Sequence, residues 1–131
     1  MKWNSVFLCD IDGTLVGKDM VLLKEVKEAV DSYMNSDGKL ILCTGRSWIA
    51  TRKIKEDLNL TDPLIVYNGA AIYDPEKDRI IWKETLDRDV LKAVGYIYEN
   101  FPEVSIQIFT DKDIYRLRTN WMIETYGVPE E

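Results

Sequence analysis

The chain has 131 residues, 46% hydrophobic and 31% charged, which is the size of about one ordinary domain and the composition of a folded protein, not a disordered one. A net charge of −6 without any basic run argues against a nucleic-acid backbone as partner. No stretch approaches the roughly 18 apolar residues of a membrane-crossing helix, so neither nucleic acid nor membrane is expected as a partner.

After Met1-Lys2-Trp3-Asn4 comes Val6-Phe7-Leu8-Cys9, a short continuous apolar run. It is too short for a signal peptide and is cut off at once by aspartates; it reads as a strand buried on both faces. From Leu22 the period changes: Leu22, Val26, Ala29, Val30, Tyr33 and Met34 recur at helical spacing among charged residues, and Gly38 suits the helix stop. Leu40-Ile41-Leu42-Cys43 is a second buried strand. Ser47 is placed to cap a second helix through Trp48, Ile49, Ile54 and Leu58, which Pro63 ends. Leu64-Ile65-Val66-Tyr67 is a third strand. Strand–helix–strand–helix–strand is the pattern of a parallel sheet with right-handed crossovers. Cys9 and Cys43 both sit in these apolar runs and read as buried, reduced thiols, which fits a cytoplasmic protein.

Beyond Tyr67 the pattern turns antiparallel. Ala70–Tyr73 and Arg79–Lys83 flank the turn Asp74-Pro75-Glu76-Lys77-Asp78 and form a hairpin. Lys77, Asp78 and Arg79 read as solvated surface. A third helix presents Val90, Leu91, Val94, Ile97, Tyr98 and Phe101, and Pro102 ends it. Val104–Phe109 and Ile114–Leu117 are two further strands about the turn Asp111-Lys112-Asp113. Trp82, Tyr96, Tyr98, Trp121 and Tyr126 are expected to pack in the core of this second region and are not taken as ligand contacts. The shift near residue 68 is the candidate domain boundary.

The chemistry gathers where the first strands end. In Asp10-Ile11-Asp12-Gly13-Thr14-Leu15 two carboxylates stand two residues apart at the C-terminal end of a buried strand, where ligands of open α/β sheets bind. One can attack phosphorus while the other handles a proton. Their mutual repulsion calls for a cation, and oxygen ligands suit Mg²⁺. Gly13 lets the backbone turn sharply. Alone, such a stretch is equally ordinary turn chemistry. The second strand, however, ends in Thr44-Gly45-Arg46-Ser47, bringing a hydroxyl and the N–H groups of a helix start to the same sheet edge. Asn68-Gly69 reads first as a hinge turn, because Asn-Gly accepts positive φ, and second as a substrate contact.

Taken together these stretches resemble the haloacid dehalogenase superfamily. Asp10–Leu15 is similar to its first motif and Leu42–Ser47 to its second. Val66-Tyr67-Asn68-Gly69-Ala70 resembles the strand exit from which the Cof-type subfamily launches its cap domain. The resemblance implies an α/β fold, with the N-terminal part of a Rossmann-type parallel core over residues 1–67 and the beginning of an α/β cap over 68–131. It implies Asp10 as nucleophile forming an aspartyl-phosphate, and Asp12 as general acid/base. Mg²⁺ would sit on the Asp10 side chain and the Asp12 carbonyl. Gly13, Thr44, Gly45, Arg46 and Asn68 would stand around the phosphate and substrate. Asp12, where ion-pumping relatives carry Thr, favours hydrolysis or phosphomutase chemistry. The implied activity is a phosphatase acting on a small phosphorylated metabolite, with a phosphomutase or an inactive binding fragment as alternatives.

The family's third-motif lysine and fourth-motif acidic pair have no match among these residues, so the catalytic set is expected to be half present. Three parallel strands would also leave the Val6–Leu8 strand with an open edge, an aggregation and pairing hazard. The expectation is a fragment, or a chain whose core sheet a second chain or protomer completes.

Overall fold

The computed structural model describes residues 5–118. By compactness the chain divides between Glu84 and Thr85. The first unit contains strand β1 (Ser5–Cys9), helix α1 (Lys24–Asn35), β2 (Gly38–Leu42), α2 (Trp48–Asp57), β3 (Leu64–Val66), β4 (Ala71–Asp74) and β5 (Arg79–Lys83).

β1 and β2 pair in parallel from Ser5↔Gly38 to Cys9↔Leu42. The third strand departs from the expected three-stranded parallel array. It touches the end of β2 through one parallel bridge, Cys43↔Ile65, while its own ladder is antiparallel to β4. β4 in turn pairs with β5. The hairpin therefore belongs with the first unit, and the switch to antiparallel pairing at residue 68 lies inside that unit.

The core follows from alternation along these strands. Phe7, Cys9, Leu40 and Leu42 share one face by register. Tyr33 of α1 meets Phe7 there edge-on, with ring centroids 6.3 Å apart. Ile11, Leu42, Leu58, Leu64 and Val66 are fully buried. Each such side chain is stabilised by about 1.5–3 kcal/mol on leaving water. Cys43, one residue past the partner of Cys9, points to the opposite face, so the two thiols are not neighbours. Across the first unit the Trp48 and Tyr73 rings stack, 4.8 Å apart and 8° from parallel, with the Arg52 guanidinium 5.3 Å over Trp48.

α1 stops differently from the expectation. Asp37, not Gly38, takes the left-handed turn, with φ 62°. Gly38 is required for closeness instead: a Cβ there would lie 2.6 Å from the Tyr33 ring and 2.7 Å from its carbonyl oxygen. The charged turn before β5 is also more than a solvated surface. Lys77 pairs with the buried Asp74 carboxylate, and Asp78 accepts a 2.5 Å hydrogen bond from the Tyr73 hydroxyl.

In the second unit, α3 (Val90–Asn100) accompanies the antiparallel pair β6 (Ile106–Phe109) and β7 (Ile114–Arg118). Arg118 closes the C-terminus of α3, donating to the Phe101 and Tyr98 carbonyls at 2.6 and 2.7 Å while its guanidinium lies 4.5 Å over the Tyr98 ring. The aromatic residues expected in a core are not there: Trp82, Tyr96 and Tyr98 are exposed. Trp121 and Tyr126 lie outside the described residues.

Candidate active site

Asp10 and Asp12 owe their common side to the residue between them. Ile11 is fully buried, and its carbonyl accepts the N–H groups of Thr14, Leu15 and Val16 at 3.2, 2.9 and 3.0 Å. One carbonyl thus gathers the loop into a tight turn pinned by an apolar side chain. Asp10 and Asp12 flank the pin and are both exposed. Gly13 takes φ +79°, and its N–H closes the loop on Val16. Behind the loop, the Cys9 thiol donates to the Asp10 carbonyl at 3.3 Å. Burial, and then the Asp10 charge, push that thiol's pKa up, so Cys9 stays protonated and inert.

The second loop arrives from β2. The Cys43 N–H bonds the Cys9 carbonyl at 2.8 Å and the Thr44 N–H the Ile65 carbonyl at 2.9 Å, which ties the two loops and β3 together. Thr44 is buried, and its Oγ1 accepts the Arg46 N–H at 3.2 Å. Ser47 caps α2 as expected, accepting the Ala50 N–H at 3.2 Å. Gly45 lies against Asn68: a Cβ on Gly45 would sit 2.8 Å from the Asn68 carboxamide oxygen.

Asn68 is held there by a run of left-handed residues, Tyr67 at φ 54°, Asn68 at 56° and Gly69 at 90°. Asn and Gly accept this region, whereas Tyr does so at a cost of roughly 1–3 kcal/mol. Two backbone bonds offset it, Tyr67 N–H to the Arg46 carbonyl at 2.9 Å and Asn68 N–H to the Thr44 carbonyl at 3.1 Å. Tyr67 is the residue that sequence reasoning missed. Its place in an apolar run signals strand, and only the following Asn-Gly hints at the reversal.

Arg46, expected at the mouth of the site, pairs with Asp12. Its Nε donates to Asp12 Oδ2 at 2.9 Å and its NH2 to Oδ1 at 2.6 Å, a two-pronged ion pair. Met20, which no motif marks, adds a 3.6 Å contact from its sulfur to the same guanidinium. Asp10, Asp12, Thr44, Gly45, Arg46 and Asn68 therefore stand on loops hydrogen-bonded into one sheet end.

As metal ligands, Asp10 offers an exposed carboxylate and Asp12 its backbone carbonyl, the Asp12 carboxylate being held by Arg46. Oxygen is the hard donor type Mg²⁺ prefers, and Mg²⁺ commonly uses one or two carboxylates with water and phosphate completing the shell. No group of three or more acidic, Cys or His side chains suited to a metal occurs among the described residues. None of their helices is long and apolar enough to cross a membrane.

Comparison with known proteins agrees with this architecture. The family of haloacid dehalogenase-like hydrolases matches residues 7–127, and the chain belongs to that family, in its Cof-type branch. It is similar to the 5-amino-6-(5-phospho-D-ribitylamino)uracil phosphatase YwtE of Bacillus subtilis, with 29% identity over 78% of this chain and 34% of the relative. Among solved structures it is similar to a sugar phosphatase of haloacid dehalogenase subclass IIB, at 26% identity and a TM-score of 0.76, over 93% of this chain and 46% of that one. A haloacid dehalogenase-like hydrolase from B. subtilis matches at 25% identity and a TM-score of 0.73, over 88% and 40% of the two chains. The chain thus spans between a third and a half of the length of these relatives.

Proposed function

We propose that this chain carries the nucleophile-bearing half of a Mg²⁺-dependent phosphatase for a small phosphorylated metabolite. Residues 1–67 would serve as the first part of a Rossmann-type core, with the β4–β5 hairpin attached to it, and the region from Thr85 as the start of its cap. The observation that carries the reading is the pair of carboxylates turned outward about the buried Ile11, beside the Thr44–Arg46 loop. The relatives' names, a ribitylamino-uracil phosphatase and a sugar phosphatase, support a phosphorylated polyol or sugar as the substrate class.

In this mechanism an Asp10 carboxylate oxygen forms a bond to phosphorus as the bond to the leaving oxygen breaks, and Asp12 gives that oxygen a proton. Water then attacks the aspartyl-phosphate, Asp12 takes the proton back, and inorganic phosphate leaves with the Asp10 carboxylate restored. Thr44 Oγ1 accepts one bond from the protein and keeps its O–H to donate to a phosphoryl oxygen. Gly45 gives backbone access beside it, and the Asn68 carboxamide lines the same spot. Mg²⁺, held by Asp10 and the Asp12 carbonyl, would supply positive charge against the phosphoryl oxygens.

A binding-only half is the second reading, favoured by the uncovered β1 edge. Val6, Phe7 and Leu8 are 51%, 54% and 59% exposed, and no strand among the described residues pairs with that edge. A second chain or protomer supplying strands there would complete the sheet.

The deciding assay is phosphate release from an aryl phosphate, with and without Mg²⁺, by this chain and by Asp10→Asn. Metal-dependent release abolished in the variant is the result expected of the phosphatase. Equal release by both proteins removes Asp10 from the chemistry, and release by neither makes this chain a catalytically incomplete half.

A further inference from the structure

Both carboxylate oxygens of Asp12 are occupied by the Arg46 guanidinium. A carboxylate forked on both oxygens is fixed in orientation by the guanidinium, so the pair has to part for Asp12 to turn freely toward a leaving-group oxygen as proposed above. We propose that the Arg46–Asp12 fork is a lock that the substrate's phosphoryl group opens: Arg46 passes from Asp12 to the phosphate oxygens, and Asp12 is thereby freed toward the leaving group. This inference rests on the phosphatase reading and adds to it an order of events.

Three features favour the exchange. The first is an asymmetry of burial. The Arg46 side chain is only 17% exposed, whereas Asp12 is 47% exposed. The guanidinium therefore needs an anion wherever it goes, while the released carboxylate is rehydrated at little cost. The second is charge. A phosphate monoester offers more negative charge than a carboxylate, and a guanidinium fork can bind two of its oxygens as it binds the two of a carboxylate. The third is that the exchange requires only a side chain to turn. The Arg46 N–H is bonded to Thr44 Oγ1 and its carbonyl to the Tyr67 N–H, so the backbone stays put. Among the described residues the guanidinium's contact beyond Asp12 is the Met20 thioether, a weak acceptor.

A purely structural ion pair and a substrate-opened lock differ in how phosphate binding responds to Asp12. Inorganic phosphate would be titrated, with Mg²⁺ present throughout, into the full chain and into Asp12→Asn, Arg46→Met and the double variant. The ¹⁵N–¹H resonance of Arg46 Nε would be followed at the same time in the two proteins that keep Arg46. The lock requires Asp12→Asn to bind phosphate roughly tenfold more tightly, because Arg46 no longer has to leave a charged partner. It requires this gain to vanish when Arg46 is Met, and the Arg46 Nε resonance to move as phosphate is added. Plain repulsion between Asp12 and phosphate would instead preserve the gain without Arg46, and that outcome sinks the lock while leaving the phosphate site standing. No gain in Asp12→Asn, or an unmoved Arg46 resonance, also overturns it. Absence of phosphate binding in all four proteins removes the site reading itself, and the lock with it.

Discussion

A methyl group added at Gly45 and one added at Gly38 have different consequences, because they meet different atoms. At Gly45 the obstacle is the end of the Asn68 side chain, which can swing away. Gly45→Ala should therefore cost no more than about 1 kcal/mol in urea unfolding while weakening phosphate binding through the displaced carboxamide. At Gly38 the obstacles include the Tyr33 carbonyl, part of the α1 terminus, which cannot yield alone. Gly38→Ala should lose about 1–3 kcal/mol in the same measurement. Tyr73 provides a pH signature. Its burial, reinforced by the hydrogen bond to Asp78, raises its pKa from 10.0 to about 12. The folded state then holds this proton more tightly than the unfolded state. The associated stability is complete below pH 10 and is lost as pH rises from there to about 12. Denaturation midpoints measured across that window should fall for the native chain and fall less for Tyr73→Phe.

At the level of elements, what could be read from the sequence is what local physics decides. Ser47 ahead of an amphipathic run is a cap in sequence and in structure, and Ser47→Ala should cost about 1 kcal/mol by thermal or urea unfolding. The apolar runs of β1 and β2, the helices and the hairpin about residues 74–78 were all legible from period and turn chemistry. Loops that depend on distant partners were less so. Nothing in Leu64-Ile65-Val66-Tyr67 announces that the fourth residue reverses the chain, because the bonds that hold Tyr67 left-handed come from Arg46 and Thr44. Likewise the Thr-Gly-Arg-Ser spacing placed Arg46 at the site, but its grip on Asp12 depends on how two loops fold against each other. The exposed Trp82, Tyr96 and Tyr98 were misplaced because apolar spacing shows which face would be buried, not whether anything covers it. Cys9 is buried and Cys43 only half-buried, so Cys9 should react with a thiol reagent far more slowly than Cys43. Equal rates would mean that Cys9 is not shielded as described.

For the whole molecule the uncovered side of β1 governs behaviour. Among the described residues its outer edge has no partner strand, Phe7 is half exposed on the α1 face, and Val6 and Leu8 are half exposed on the other. An open edge of that composition invites pairing. Sedimentation should show association that grows with concentration, and Leu8→Lys should suppress it. Because Leu8 is already 59% exposed, the variant should keep the native melting temperature to within the shift of about 0.5 kcal/mol expected of a surface change.

The order of strand pairing also carries a history in time. Leu64 meets Tyr73 and Val66 meets Ala71 across a short chain reversal, whereas Ser5 meets Gly38 only after α1 has been spanned. Closing the longer loop is the slower and entropically costlier event. During refolding, amide protection should therefore appear in the β3–β5 meander before it appears in β1 and β2. The two carboxylates, carried on the loop after β1, would come into register only in the last step, so a chain caught midway would already hold a sheet and still lack its chemistry.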